Sequence, residues 1–69
     1  MNKSFEIPVG TRIKVTGYIN DPRPPAIGDT GTVARISGQG TAYEQVTVKW
    51  DNNRSLMLVP EDYGSVARA

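Results

Sequence analysis

The residues best placed to do chemistry in this chain are cations. Arg23 sits between prolines in Asp21-Pro22-Arg23-Pro24-Pro25, a stiff mount that presents its guanidinium at reduced entropic cost. So held, a guanidinium can make paired hydrogen bonds to a phosphate or a carboxylate. Arg54 projects from a turn beside Trp50 and can join it. Arg12, Lys14, Arg35 and Lys49 fall at outward positions of expected strands, and neighbouring strands would align them as one cationic strip. For each of the four taken singly, an ordinary solvated sheet face is the competing reading. Tyr18 and Tyr43 flank that strip at strand ends, where each could stack on a base or cap the core. Trp50 continues the face of Val46 and Val48, so it reads first as core and second as a ligand platform. Arg23, Arg12, Lys14, Tyr18, Arg35, Tyr43, Arg54 and Trp50 form the candidate ligand-binding set.

The acids offer nothing comparable. General acid–base work usually calls on histidine or on paired carboxylates in a shaped pocket. Histidine and cysteine are both absent, which removes thiolate nucleophiles, disulfides and nearly every zinc or haem arrangement. Glu61-Asp62 follows a proline and reads as a capped turn. Asp51 precedes Asn52-Asn53, where its side chain can bond the turn backbone. No serine lies in a nucleophile elbow and no phosphate-binding loop is present. The expectation is a non-enzyme with no catalytic residue, no metal and no cofactor.

Short strands must position these groups. Val46, Val48 and Trp50 alternate with Thr47 and Lys49, the period of a strand with one buried face. Asn52-Asn53 stands where a two-residue hairpin turn needs positive φ, and Leu56 and Leu58 resume the apolar face on a central hairpin from Tyr43 to Val59. An earlier strand spans Thr11 to Tyr18, with Ile13 and Val15 inward. Another spans Thr30 to Ile36, where Gly31 suggests a bulge or bend. The prolines exclude helix and central strand from the Asn20–Asp29 loop, and Ile27 is the expected plug that pins it to the core. Ser37 to Ala42 reads as a hairpin loop. Met1 to Ser4 reads as a loose polar start. Phe5, Ile7 and Val9 lie along an extended lead-in that Gly10 turns. Pro60-Glu61-Asp62 reads as a short 3₁₀ turn, with Tyr63 opening a brief closing strand and no clear signal from Ser65 to Ala69. The expected fold is all-β, a small five-stranded barrel forming a single domain over 1–69 with its core in 9–64.

The order Gly10 to Val15, Asp21-Pro22, Gly28-Asp29-Thr30-Gly31-Thr32-Val33, Val48-Lys49-Trp50-Asp51-Asn52, then Leu56 to Pro60 resembles an uncharacterised family of short SH3-like domains from bacteria, phages and mobile elements. The likeness runs from Gly10 to Asp62, and its more specific part is the Trp-Asp-Asn turn followed by Leu-x-Leu-x-Pro. It implies an SH3-like barrel and no agreed activity. One departure stands out: the family usually has glycine after the turn asparagine, and Asn53 replaces it at a small cost in turn stability. Plasmid-type dihydrofolate reductases have similar size, but their Val-Gln-Ile-Tyr pore motif has no counterpart. The photosystem I subunit of the same architecture differs around its turns.

At 69 residues with eight basic and seven acidic side chains, one core leaves the chain marginal, and small domains usually add a staple. Without cysteine or metal ligands the expected staple is self-association, as a dimer or tetramer. No apolar run matches a membrane span or a signal peptide. A cytoplasmic protein is expected, in the host cytoplasm if phage-encoded. The first functional reading is a phage or mobile-element binding protein that sequesters a small anionic nucleotide, such as a cyclic dinucleotide used in host immune signalling. Two phosphate contacts at about 1.5–3 kcal/mol each and two stacked bases at about 1–3 kcal/mol each would have to outweigh an association cost of at least about 4 kcal/mol. A second reading is a KOW-like nucleic-acid module, against which the weak net charge counts. A third is a protein-interaction or assembly module using an open barrel edge; Pro22-Arg23-Pro24-Pro25 also fits a PxxP ligand.

Overall fold

A computed structural model describes residues 6–69; the polar start and Phe5 of the lead-in lie outside them. Five strands follow one another as β1 (Arg12–Val15), β2 (Thr30–Ser37), β3 (Gln45–Trp50), β4 (Met57–Leu58) and β5 (Val66–Arg68), with a 3₁₀ helix at Pro60–Ser65 before the last. They form one antiparallel sheet in the order β4-β3-β2-β1-β5. The all-β expectation holds. β4 and β5 are its two edges and do not pair with each other, so the hydrogen-bonded ladder is open.

Alternation selects the core. Ile13 and Val15, Val33, Val46, Val48 and Trp50, Leu58 and Val66 all point to one side, and Ile19 joins them from the loop after β1. Ile7, Ile36, Leu56 and Tyr63 pack against the rim of that cluster. Ile27 does not plug the proline loop: it is 71% exposed. Buried Ile19 at the loop's entry, with buried Pro25, pins it instead. Val9 is likewise exposed, whereas Ile7 lies against the core.

β2 is the central element and carries two irregularities. Gly31 faces Trp50 across the β2–β3 ladder. A Cβ there would stand 2.7 Å from Val48 Cγ1 and 2.9 Å from the Lys49 carbonyl oxygen. Close approach of two backbones, and not a bulge, is the reason for this glycine. The bulge lies further on. Val33 opposes Val48 and Arg35 opposes Thr47, which leaves Ala34 as an extra residue. That insertion reverses the parity of the strand, so Ile36 turns inward opposite Val46 while Arg35 turns outward.

The chain's end departs from expectation. Tyr63 lies within the 3₁₀ helix, and the closing strand begins at Val66, past residue 64. Asp62 sets up that helix: its carboxylate accepts the Val59 N–H at 3.1 Å. Thr16 and Gly17 N–H groups bond the Ser65 carbonyl, which delivers β5 to the free side of β1. Glu44, only 1% exposed, ties the β2–β3 loop to the 3₁₀ helix by accepting hydrogen bonds from Tyr63 Oη at 2.6 Å and Gly40 N at 2.8 Å. Burial, then the Glu44 bond, raises the Tyr63 pKa. A raised value means stability present below the ordinary tyrosine range near pH 10 and lost above it.

Gly31→Ala forces the added methyl against Lys49 backbone and Val48. Overpacking of this kind costs about 1–3 kcal/mol, and urea unfolding is expected to show the midpoint falling by that amount at unchanged slope.

Candidate ligand-binding site

The turn after β3 is built differently from a two-residue hairpin. Asn53 N–H bonds the Trp50 carbonyl at 3.0 Å, and Asn53 is the only non-glycine residue with positive φ, at 61°, among the described residues. Such geometry fits a four-residue turn closed by a left-handed residue. Asn52 Oδ1 then accepts the Arg54 N–H at 3.0 Å. Beyond it, Trp50 Nε1 donates to the Leu56 carbonyl at 3.1 Å. The indole thereby holds the returning strand in place. Trp50 is 2% exposed, so its ring is not open to a ligand and it leaves the candidate set.

Asp51 does not bond the turn. Its carboxylate takes both guanidinium ends of Arg12, at 2.7 and 2.5 Å, and the Thr30 hydroxyl. Three segments meet at this group. The Arg12 hydrogen bond, then that of Thr30, lowers the Asp51 pKa well below the usual carboxylate range, and the same pair raises that of Arg12. The pair is about half exposed, so its contribution to stability is small at neutral pH. It does use up the charge of Arg12.

The proline loop and the β3–β4 turn enclose a polar cleft of about 470 Å³, lined by Asp21, Arg23, Asn52, Arg54 and Ser55. Arg23 and Arg54, far apart in sequence, are brought together here. Asp21 orders the loop by accepting the Arg23 N–H at 2.8 Å. Its Oδ1 also lies 3.8 Å from Arg54 Nη2. Arg54 reaches the Pro24 carbonyl at 3.5 Å, joining turn to loop. The Arg23 guanidinium has no hydrogen bond or ion pair among the described residues. Two arginines against one aspartate leave the cleft with an excess positive charge. A second cavity, about 360 Å³, lies by Tyr43, Val59 and Pro60 and contains Glu44 and Glu61 but no cation. It is the poorer place for an anion.

The other sequence-derived residues disperse. Lys14 and Arg35, with Lys49, stand on the outer sheet face and not in the cleft. Tyr18 and Tyr43 are 70% and 87% exposed, so neither caps the core. They belong to opposite ends of β2: Tyr18 follows the β1 end that bonds Asp29, and Tyr43 precedes Gln45, the partner of Ser37. Neither lines the cleft. Asp21, Asn52 and Ser55 do, and the candidate set omitted them. The Asp-Pro and Asn-Asn pairs were visible turn signals, but nothing local said that the two turns face each other. Among the described residues no three His, Cys, Asp or Glu side chains gather as a metal site, and no helix is long and apolar enough to cross a membrane.

Residues 3–65 match the family model described as a domain of unknown function (DUF4314), and the chain belongs to that family. No curated protein and no solved structure gives a significant match.

Two outcomes test this geometry. Asn53→Gly relieves a side chain in the left-handed region and is expected to raise stability by a few tenths of a kcal/mol up to about 1, measured by thermal melting. Asp51 has a depressed pKa in the folded state, so the stability it supplies is present above the ordinary aspartate value near pH 3.9 and drains away below it. The stability gap between the wild type and Asp51→Asn should therefore narrow as pH is lowered from about 4. A gap that widens on acidification would contradict the pairing.

Proposed function

We propose that this protein is a non-catalytic binding protein for a small phosphate-bearing ligand held in the cleft between the proline loop and the β3–β4 turn. The observation that carries the reading is the Arg23 guanidinium, unpartnered among the described residues and facing the same cleft as Arg54 and Asn52. Pro22, Pro24 and buried Pro25 restrict the backbone that carries Arg23 before any ligand arrives. Preorganisation of that kind lowers the ordering cost of binding. Arg54 is already aligned by Pro24 and Asp21, and Asn52 can add an amide donor.

The ligand class to test first is a cyclic dinucleotide, taken up without chemistry by a phage or mobile-element protein in the cytoplasm of its host. Its two phosphates suit a two-fold pair of clefts. Neither tyrosine lines the cleft of its own copy, so stacking on the bases calls for a dimer or tetramer in which a second copy brings Tyr18 or Tyr43. The architecture we assign is an SH3-like barrel. It is supported by the order β4-β3-β2-β1-β5 and by a 3₁₀ helix carrying the chain from one edge strand to the other.

Thermal melting with cyclic dinucleotides, mononucleotides and inorganic phosphate tests the reading. Ligand at a hundred times its dissociation constant adds about 2.7 kcal/mol, a rise on the order of 10–20 °C for a domain of this size. Arg23→Ala, which removes an exposed side chain only, should melt like wild type alone and lose the shift. If none of these ligands shifts the wild type, or if the shift survives in Arg23→Ala, the cleft is not the site.

A further inference from the structure

The outer face of the sheet carries a second, separate cationic feature. Register places Lys14 level with Thr30, Lys49 level with Thr32, and Arg35 opposite Thr47. All three cations are exposed, and none has an ion pair or hydrogen bond among the described residues. Five of the seven acids are engaged elsewhere, and the other two, Glu6 and Glu61, are exposed but lie outside the strands, in the lead-in and the 3₁₀ helix. Glu44 and Asp62 are buried, Asp29 accepts the Ala26 N–H, and Asp21 serves the cleft. Asp51, the acid bonded to this face, is consumed by Arg12 and Thr30. A nearly neutral protein has thus sorted its charges, leaving one face positive and threonine-rich.

We propose that this face binds the sugar-phosphate backbone of double-stranded nucleic acid, independently of the cleft. Strand spacing of about 4.8 Å and a rise of about 3.4 Å per residue put Lys49 roughly 8 Å from Arg35 and roughly 12 Å from Lys14, Cα to Cα. Long side chains can span that spread to successive phosphates, and the Thr32 and Thr47 hydroxyls can donate to them, the Thr30 hydroxyl being given to Asp51. Two features favour a duplex over other polyanions. Among the described residues no aromatic ring lies on the face: Trp50 is buried on the other side and Tyr43 precedes β3. Single strands gain much of their affinity by stacking on rings, whereas a duplex offers denser charge. A membrane surface would call for an apolar stripe beside the cations, and half-exposed Met57 is the lone large apolar side chain among the described outward residues of the strands. The interaction is weak and indifferent to sequence, because a five-stranded sheet is too broad to enter a groove that admits a helix or a two-stranded ribbon, which keeps the cations at the backbone.

The test is fluorescence anisotropy of a short labelled DNA duplex, titrated with the full chain at several salt concentrations. Three phosphate contacts give a slope of log K against log salt of about −2.7, a loss of about 40-fold between 50 and 200 mM salt. Each single change, Lys14→Gln, Arg35→Gln or Lys49→Gln, should lower the magnitude of the slope by about 1, and the triple variant should bring it near zero. Circular dichroism checks that the variants fold. The proposal is overturned by no binding at the lowest salt, by an unchanged slope in the triple variant, or by equally tight binding of the single strand. It also falls if Arg23→Ala abolishes the binding, since the duplex would then occupy the cleft. Arg23→Ala that loses the small-ligand shift but keeps the duplex slope supports both sites, and failure of the small ligands alone leaves this face standing.

Discussion

The closeness of β2 to β3 at Gly31 is the constraint on which the rest of the molecule depends. Val48, the Lys49 carbonyl and the Trp50 backbone crowd the space where a side chain would begin. With no Cβ in the way, the two strands come together and Trp50 is buried in the core. Its indole N–H then holds Leu56, which fixes the span between the end of β3 and the start of β4. The Asn52–Ser55 wall of the cleft is carried on that span. A small residue inside the sheet therefore decides the position of polar groups on its rim.

The charges are divided by the same scaffold. Asp51 sits where β3 ends, close to Arg12 on β1 and Thr30 on β2, and its carboxylate satisfies both. Arg12 is removed from the cationic strip, and the outer face keeps three cations unpaired among the described residues. On the other side of the turn, Asp21 holds the proline loop and partly offsets Arg54, but not Arg23. Exposed pairs of this type contribute little stability. Their effect is on which positive groups stay available. Buried Glu44 has a different part, since its bonds to Tyr63 and Gly40 connect the β2–β3 loop with the 3₁₀ helix.

Where local patterning spoke clearly, it was followed. The alternations Ile13–Val15 and Val46–Val48–Trp50 became the strands they indicate, because one face of each strand must leave water. Pro60 opened a 3₁₀ helix, and the prolines kept residues 20–29 out of the sheet. Other positions were decided by partners remote in sequence. Ile27 is an apolar residue in a loop, but Ile19 is the one the core takes in. Val66–Arg68 is too short and mixed to announce a strand, and it becomes one because β1 has an unfilled edge. Arg35 faces outward by virtue of the extra residue at Ala34, an insertion that no spacing rule locates.

The sequence by itself determined an all-β chain of short strands, the place of Arg23 in a proline-rich loop outside the sheet, and the lack of histidine and cysteine side chains. These rest on backbone sterics, side-chain period and composition, all local properties. Only the tertiary structure decided that the Arg23 loop faces the Arg54 turn, that Arg12 is neutralised by Asp51, and that Trp50 is closed to ligands. Such facts depend on which distant segments share a few ångströms of space, and that is set by strand register and close packing of the whole core.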